Sequence, residues 1–104
     1  MGLIVNADRT NPRPVPALID GAQVLRVAEI GDLAPIGRTR HTVAGTVVDG
    51  FAALAIARYD GGDGAYLFYC DAEWNCVTDT YHSDIAAAIE QAEFEFGPVR
   101  FTTP

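Results

Sequence analysis

The spacing of apolar and polar positions changes several times along this chain, most clearly between positions 65 and 96. Residues 65–71 (AYLFYCD) are an almost unbroken apolar run, and residues 76–81 (CVTDTY) alternate with a period of two. Ala72-Glu73-Trp74-Asn75 lies between them, so the pattern predicts two antiparallel strands joined by a four-residue turn. Asn75 is the residue suited to a left-handed position there. The period then becomes helical: Ile85, Ala88, Ile89, Ala92 and Phe96 recur at spacings of three and four, predicting a helix over 84–96. Ser83 is its expected N-cap, Asp84 complements the helix dipole, and Gly97-Pro98 stops it. Phe94 lies about half a turn from that stripe, at roughly 100° per residue. It is expected either to be covered by the N-terminal segment or to meet a partner.

The earlier chain carries weaker signals. Residues 22–30 are apolar and β-branched enough for a strand entered through Asp20-Gly21, and residues 51–59 (FAALAIARY) read as a central strand covered on both faces. Residues 40–48 alternate loosely and precede Asp49-Gly50, a two-residue type I′ hairpin signature, so they are expected to pair with 51–59. Residues 1–17 read as an extended, proline-rich arm: 2–5 are a short apolar run, and the X-Pro pairs within 6–16 hold the backbone extended. Residues 31–38 are a loop or carry a short helical turn at 32–34, and 99–102 are a candidate last strand. The expected fold class is α+β, one domain over 1–104: an antiparallel β-meander of four to five strands with one C-terminal helix packed on one face. The other face is then solvated or used for association, which makes a homodimer an expected partner state.

Composition narrows the function classes. The chain has 104 residues, is 49% apolar and 20% charged, and is long enough for one core without staples. Its net charge of −7 is unevenly spread. Six Arg face five carboxylates up to Arg58, whereas the segment from Tyr59 to Val99 holds nine carboxylates and no Arg. Such a field repels nucleic acid and anionic membrane and favours a cationic protein partner. With no leader-like opening and no apolar run near the roughly 20 residues of a bilayer span, a cytoplasmic location with reduced thiols is expected.

Candidate chemistry is sparse. Cys70 and His82 fall at different distances from the turn, which disfavours a nucleophile–base pair, and acidic surroundings raise a thiol pKa. With Cys70 opposite Val77 and Asp71 opposite Cys76, the two sulfurs fall on opposite faces and a disulfide is disfavoured, although a shifted register would permit one. Asp79 and His82, with Asp84 near, are the residues to test for metal or small-ligand binding. Asp60-Gly-Gly-Asp63-Gly is a turn that lacks the remaining ligands of a calcium loop. Arg38, Arg40 and His41 form a basic cluster without the interleaved aromatics of a nucleic-acid site. Trp74 either anchors an interface or folds back over its own hairpin. No catalytic residue, metal ligand or cofactor is assigned.

The run RYDGGDGAYLFYCDAEWNCVTDTYHSDIAAAIEQAEFEF resembles a recurring signature of small, uncharacterised bacterial proteins. In these a YLF-C-D-xx-W hairpin precedes a D-T-x-H corner and an A-x-x-Q-A-x-x-E-F helix. Some have been grouped with immunity proteins of contact-dependent and polymorphic toxin systems, so the resemblance implies a role in binding a toxin. The leading expectation is a non-catalytic protein-interaction module that meets a cationic partner through an acidic hairpin-and-helix surface, with Asp71, Glu73, Trp74, Glu90 and Phe94 as contacts. A metal- or ligand-binding module or minor enzyme using Asp79 and His82 is the second expectation. A purely oligomerising subunit is the third.

Overall fold

A computed structural model describes residues 14–31, 41–48 and 50–104. Expectations for 1–13, 32–40 and 49, including the start of the arm, the possible turn at 32–34 and the Arg38–Arg40 pair, lie outside the described residues. The fold is α+β. Five antiparallel strands, β1 (Leu18–Ile19), β2 (Ala22–Glu29), β5 (Ala53–Arg58), β6 (Ala65–Cys70) and β7 (Cys76–His82), form one sheet in the order β1-β2-β5-β6-β7. A second sheet of two strands is made by β3 (His41–Val43) and β4 (Thr46–Val48), and one C-terminal helix, α1 (Ile85–Phe96), follows β7.

Both tight turns near the N-terminal half use paired left-handed residues. Asp20 and Gly21, at φ 50° and 82°, fold β1 back onto β2, so the Asp-Gly pair expected only to lead into a strand closes a hairpin of its own. Ala44 and Gly45, at φ 53° and 83°, do the same for β3 and β4. That earlier turn overturns the expected pairing of 40–48 with 51–59 through Asp49-Gly50. Once the chain has reversed at Ala44-Gly45, β4 is consumed by β3, and β5 pairs with β2 and β6 instead.

Alternation along the strands divides the core into two clusters. Leu54 and Ile56 of β5, Leu67 and Tyr69 of β6, and Ala28 and Ile30 point to the side that α1 covers through Ala88, Ala92 and Phe96. Ile85 and Ile89 are partly buried against the same cluster, as the helical stripe predicts. On the opposite side Ala53, Ala55 and Ala57 make a shallow strip between Val24 and Val27 on β2 and Phe68 and Cys70 on β6. Ile19, Trp74 and Val15 pack onto the middle of this second face within one chain, while Asp79 and Tyr81 on β7 stay exposed. The expected last strand contributes a single antiparallel bridge, in which Thr102 and Val27 exchange two backbone hydrogen bonds of 2.9 Å.

Candidate functional site

Beneath the helix lies a buried carboxylate that reading the chain by residue type missed. Glu95 is three residues after Ala92 and seven after Ala88, so helical geometry sets it on the buried stripe beside Phe96. It is 3% exposed. One oxygen meets His41 Nε2 at 2.7 Å, and the other accepts from the Tyr69 hydroxyl and, at 2.9 Å, from Gln91 Nε2. The His41 ring lies 4.2 Å from the Tyr69 ring, centroid to centroid, and meets Phe51 edge-on. Burial, followed by the Glu95 hydrogen bond, pushes the Tyr69 phenol far above its ordinary range. Leaving a carboxylate there without partners costs several kcal/mol, and these donors compensate it. Thr78, Thr80 and His82 of β7 share this face, with Thr80 Oγ1 2.7 Å from His82 Nε2. Burial holds the His82 imidazole below its ordinary value. In chemical terms, Glu95 ties β3, β6 and α1 together through His41, Tyr69 and Gln91.

The opposite side of β6 and β7 has different chemistry. Tyr66 pairs with Tyr81 across the strands, their centroids 5.0 Å apart, and Tyr59 meets Tyr66 edge-on at 5.3 Å. Tyr81 is 59% exposed, and Asp79, opposite Phe68 on the same face, is exposed too. Desolvation and the Asp20 carboxylate, with Asp79 further down, raise the Tyr59 hydroxyl above its ordinary value. Gly64 makes this arrangement possible, because a methyl group in its place would collide with the Tyr81 ring and hydroxyl. Three tyrosines and two carboxylates thus converge on one surface beside the sheet edge. The signal was present in the alternation of residues 76–81, where odd positions share a face.

A cleft of about 740 Å³ adjoins this surface at Tyr59, where Val15, Ala17 and Leu18 approach Arg58 and Pro104. It borders the arm, as the ligand-binding expectation required, but neither Asp79 nor His82 lines it. Those two residues are three apart on β7 and point to opposite faces, His82 with Thr80 and Asp79 with Tyr81. They do not converge, and the expectation that they act together is corrected. Among the described residues no group of three His, Cys, Asp or Glu could hold a metal ion.

The five expected contact residues are not brought into one patch. Asp71 builds the turn: its Oδ1 accepts from Glu73 N and Asn75 N, both at 2.9 Å, and Oδ2 accepts from Asn75 Nδ2 at 3.1 Å. These bonds hold its carboxyl below the usual range. The left-handed residue is Trp74, at φ 66°, and not Asn75, whose amide is engaged by Asp71. The twist carries the indole back over the second face beside Phe68 and Cys70, leaving it 6% exposed. Of the two readings of Trp74, the folded-back one describes the structure. A non-glycine left-handed residue costs about 1 kcal/mol. Burying roughly 200 Å² of indole returns about 5 kcal/mol, so burial decides the conformation. Glu73 remains exposed at the turn. Glu90 and Phe94, one helical turn apart, lie on the outer surface of α1, with Phe94 45% exposed. The whole sheet separates Phe94 from Trp74.

Two further corrections are local. Asp84, in extended conformation at φ −158°, is the N-cap and accepts from Ala87 N at 2.8 Å, so the helix starts one residue later than expected. The β6–β7 register shifts between Tyr69 and Cys70, which sets Cys70 opposite Cys76 in place of Val77. Both thiols are free.

In comparison with known proteins, the chain matches no family model, no curated protein and no solved structure. Among the described residues no helix is long and apolar enough to cross a membrane.

Proposed function

We propose that this chain is a non-catalytic protein-interaction module that binds a cationic protein segment, of the kind the toxin resemblance implies, on the tyrosine-bearing side of β6 and β7. One observation carries the reading: Tyr59, Tyr66 and Tyr81 cluster on a surface next to Asp20 and Asp79. Tyrosine rings attract guanidinium and ammonium groups through their faces, and neighbouring carboxylates add charge attraction. No Arg or Lys lies between Tyr59 and Val99, and Arg58, next to Tyr59, directs its Nε to the Gly64 carbonyl. Glu73 and Glu90 then add only to the long-range field, Phe94 lies on the far side of the sheet, and Trp74 contributes structure. This moves the docking surface from the hairpin-and-helix surface expected from sequence to the tyrosine-bearing side of the sheet.

A hexa-arginine peptide is the probe. Tyr81→Ala and Asp79→Asn are expected to weaken its binding at least threefold each, and Glu90→Gln to change it by less than half that. Equal losses from all three substitutions would reduce the interaction to net charge and remove the proposed site.

A further inference from the structure

The cysteine pair carries an inference independent of the docking surface. Cys70 and Cys76 are direct cross-strand partners. The Cys70 carbonyl points away from β7, accepting from Ala52 N at 2.9 Å, while the next pair toward the turn is joined by Asp71 N donating to Asn75 O at 3.0 Å. Hydrogen-bonded and non-hydrogen-bonded pairs alternate along an antiparallel ladder, so the cysteines occupy a non-hydrogen-bonded pair. That pair type brings Cα atoms to about 4.5 Å, within the roughly 4.4–6.8 Å that a disulfide spans. Both side chains lie on the second face: Cys70 is fully buried beside Phe68 and Trp74, and Cys76 packs half-buried against the same cluster. The Cys76 thiol donates weakly to Thr78 O at 3.3 Å, a contact that a χ1 rotation breaks.

We propose that Cys70 and Cys76 are a disulfide-forming site that staples the β6–β7 hairpin across its turn when the protein meets a small oxidised disulfide such as glutathione disulfide. Cys76, the more accessible thiol, loses its proton and attacks one glutathione sulfur; a Cys76–glutathione bond forms and the other glutathione leaves as thiolate. Cys70 then loses its proton and attacks the Cys76 sulfur, forming the protein disulfide and releasing the second glutathione. Two protein thiols are oxidised, one glutathione disulfide is reduced to two thiols, and the two protons go to the leaving thiolates. Burial pushes Cys76 up to about 11 and Cys70 up to about 12, so thiolate is scarce at neutral pH. The site is therefore a slow structural staple, formed where the surroundings are persistently oxidising, and not a rapid peroxide sensor.

The test uses the full folded chain with glutathione disulfide at pH 8.5 and again at pH 7, read by intact mass and by thermal unfolding. The expected product is monomeric, about 2 Da lighter, carries no glutathione and unfolds roughly 5 °C higher, and it forms at least tenfold faster at the higher pH. Cys70→Ser is expected to stop at a single glutathione adduct on Cys76. A wild-type product that keeps glutathione, a disulfide-linked dimer, or unreacted protein under conditions that oxidise the urea-unfolded chain overturns the proposal.

Discussion

The two faces of the sheet are covered by different means. The helix side uses large branched side chains under α1 and buries one carboxylate, Glu95, inside a set of donors from β3, β6 and the helix. The second side has no helix among the described residues. It uses a shallow alanine strip on β5, which a single indole from the β6–β7 turn and side chains near the N-terminal end suffice to close. One side is held by a polar contact that links distant segments, the other by shape. The difference teaches where function has room: the polar groups under the helix are spent on one another, whereas the tyrosines and carboxylates beyond the alanine strip still face water.

Breaking the second side should have the largest effect. Trp74→Ala is expected to cost about 3–5 kcal/mol by emptying the space over Ala55 and Phe68, lowering Tm by roughly 15 °C or more in a domain of this size. Trp74→Gly removes the same indole but lifts the left-handed penalty, so it should be about 1 kcal/mol less destabilising than the alanine variant. Equal losses in urea unfolding would mean that the turn stores no such cost.

On the helix side, Glu95→Ala is expected to cost about 3 kcal/mol, since Tyr69, Gln91 and His41 all lose their hydrogen-bond partner. Glu90→Ala on the outer surface of the same helix should stay within about 0.5 kcal/mol. The same network sets an alkaline limit. Folding raises the Tyr69 phenol above its ordinary value of 10.0, so the folded state keeps the proton that the unfolded chain releases. Stability is then full below pH 10 and falls as pH rises beyond it, by up to about 1.4 kcal/mol per pH unit. Tyr69→Phe should flatten that fall. His82 works in the opposite sense: its lowered pKa makes stability full above about pH 6.5 and diminishing as pH falls through that value. Smallest is the helix cap, where Asp84→Ala should cost about 1 kcal/mol and Ser83→Ala less than half of that.

Much of the fold was legible because its elements announce their period. The strands at 53–58, 65–70 and 76–82 and the helix at 85–96 all begin and end within two residues of the expected positions. The misses share a cause, competition between neighbouring local signals. Ala44-Gly45 closes a hairpin before Asp49-Gly50 can, and Asp84 outcompetes Ser83 as a cap because its carboxylate reaches Ala87 N. The extra residue in β7 that aligns the cysteines leaves no mark in the alternation itself. Glu95 escapes a stripe drawn through apolar residues alone, although its spacing from Ala88 and Ala92 sets it on the buried face. For the candidate surface, the acidic bias was readable and the side of the sheet was not. Trp74 looked like the anchor, yet its backbone turns it inward, and the exposed rings are those of Tyr59 and Tyr81.

Where a cation lands on the folded chain distinguishes the two faces. Titrating the folded chain with hexa-arginine and following backbone amide and tyrosine ring signals by NMR reads this directly. The predicted result is a saturable set of shifts confined to Tyr59, Tyr66, Asp79, Tyr81 and their neighbours, weakening as salt is added. Shifts centred on the outer face of α1 around Glu90 and Phe94, or none at all, would contradict it.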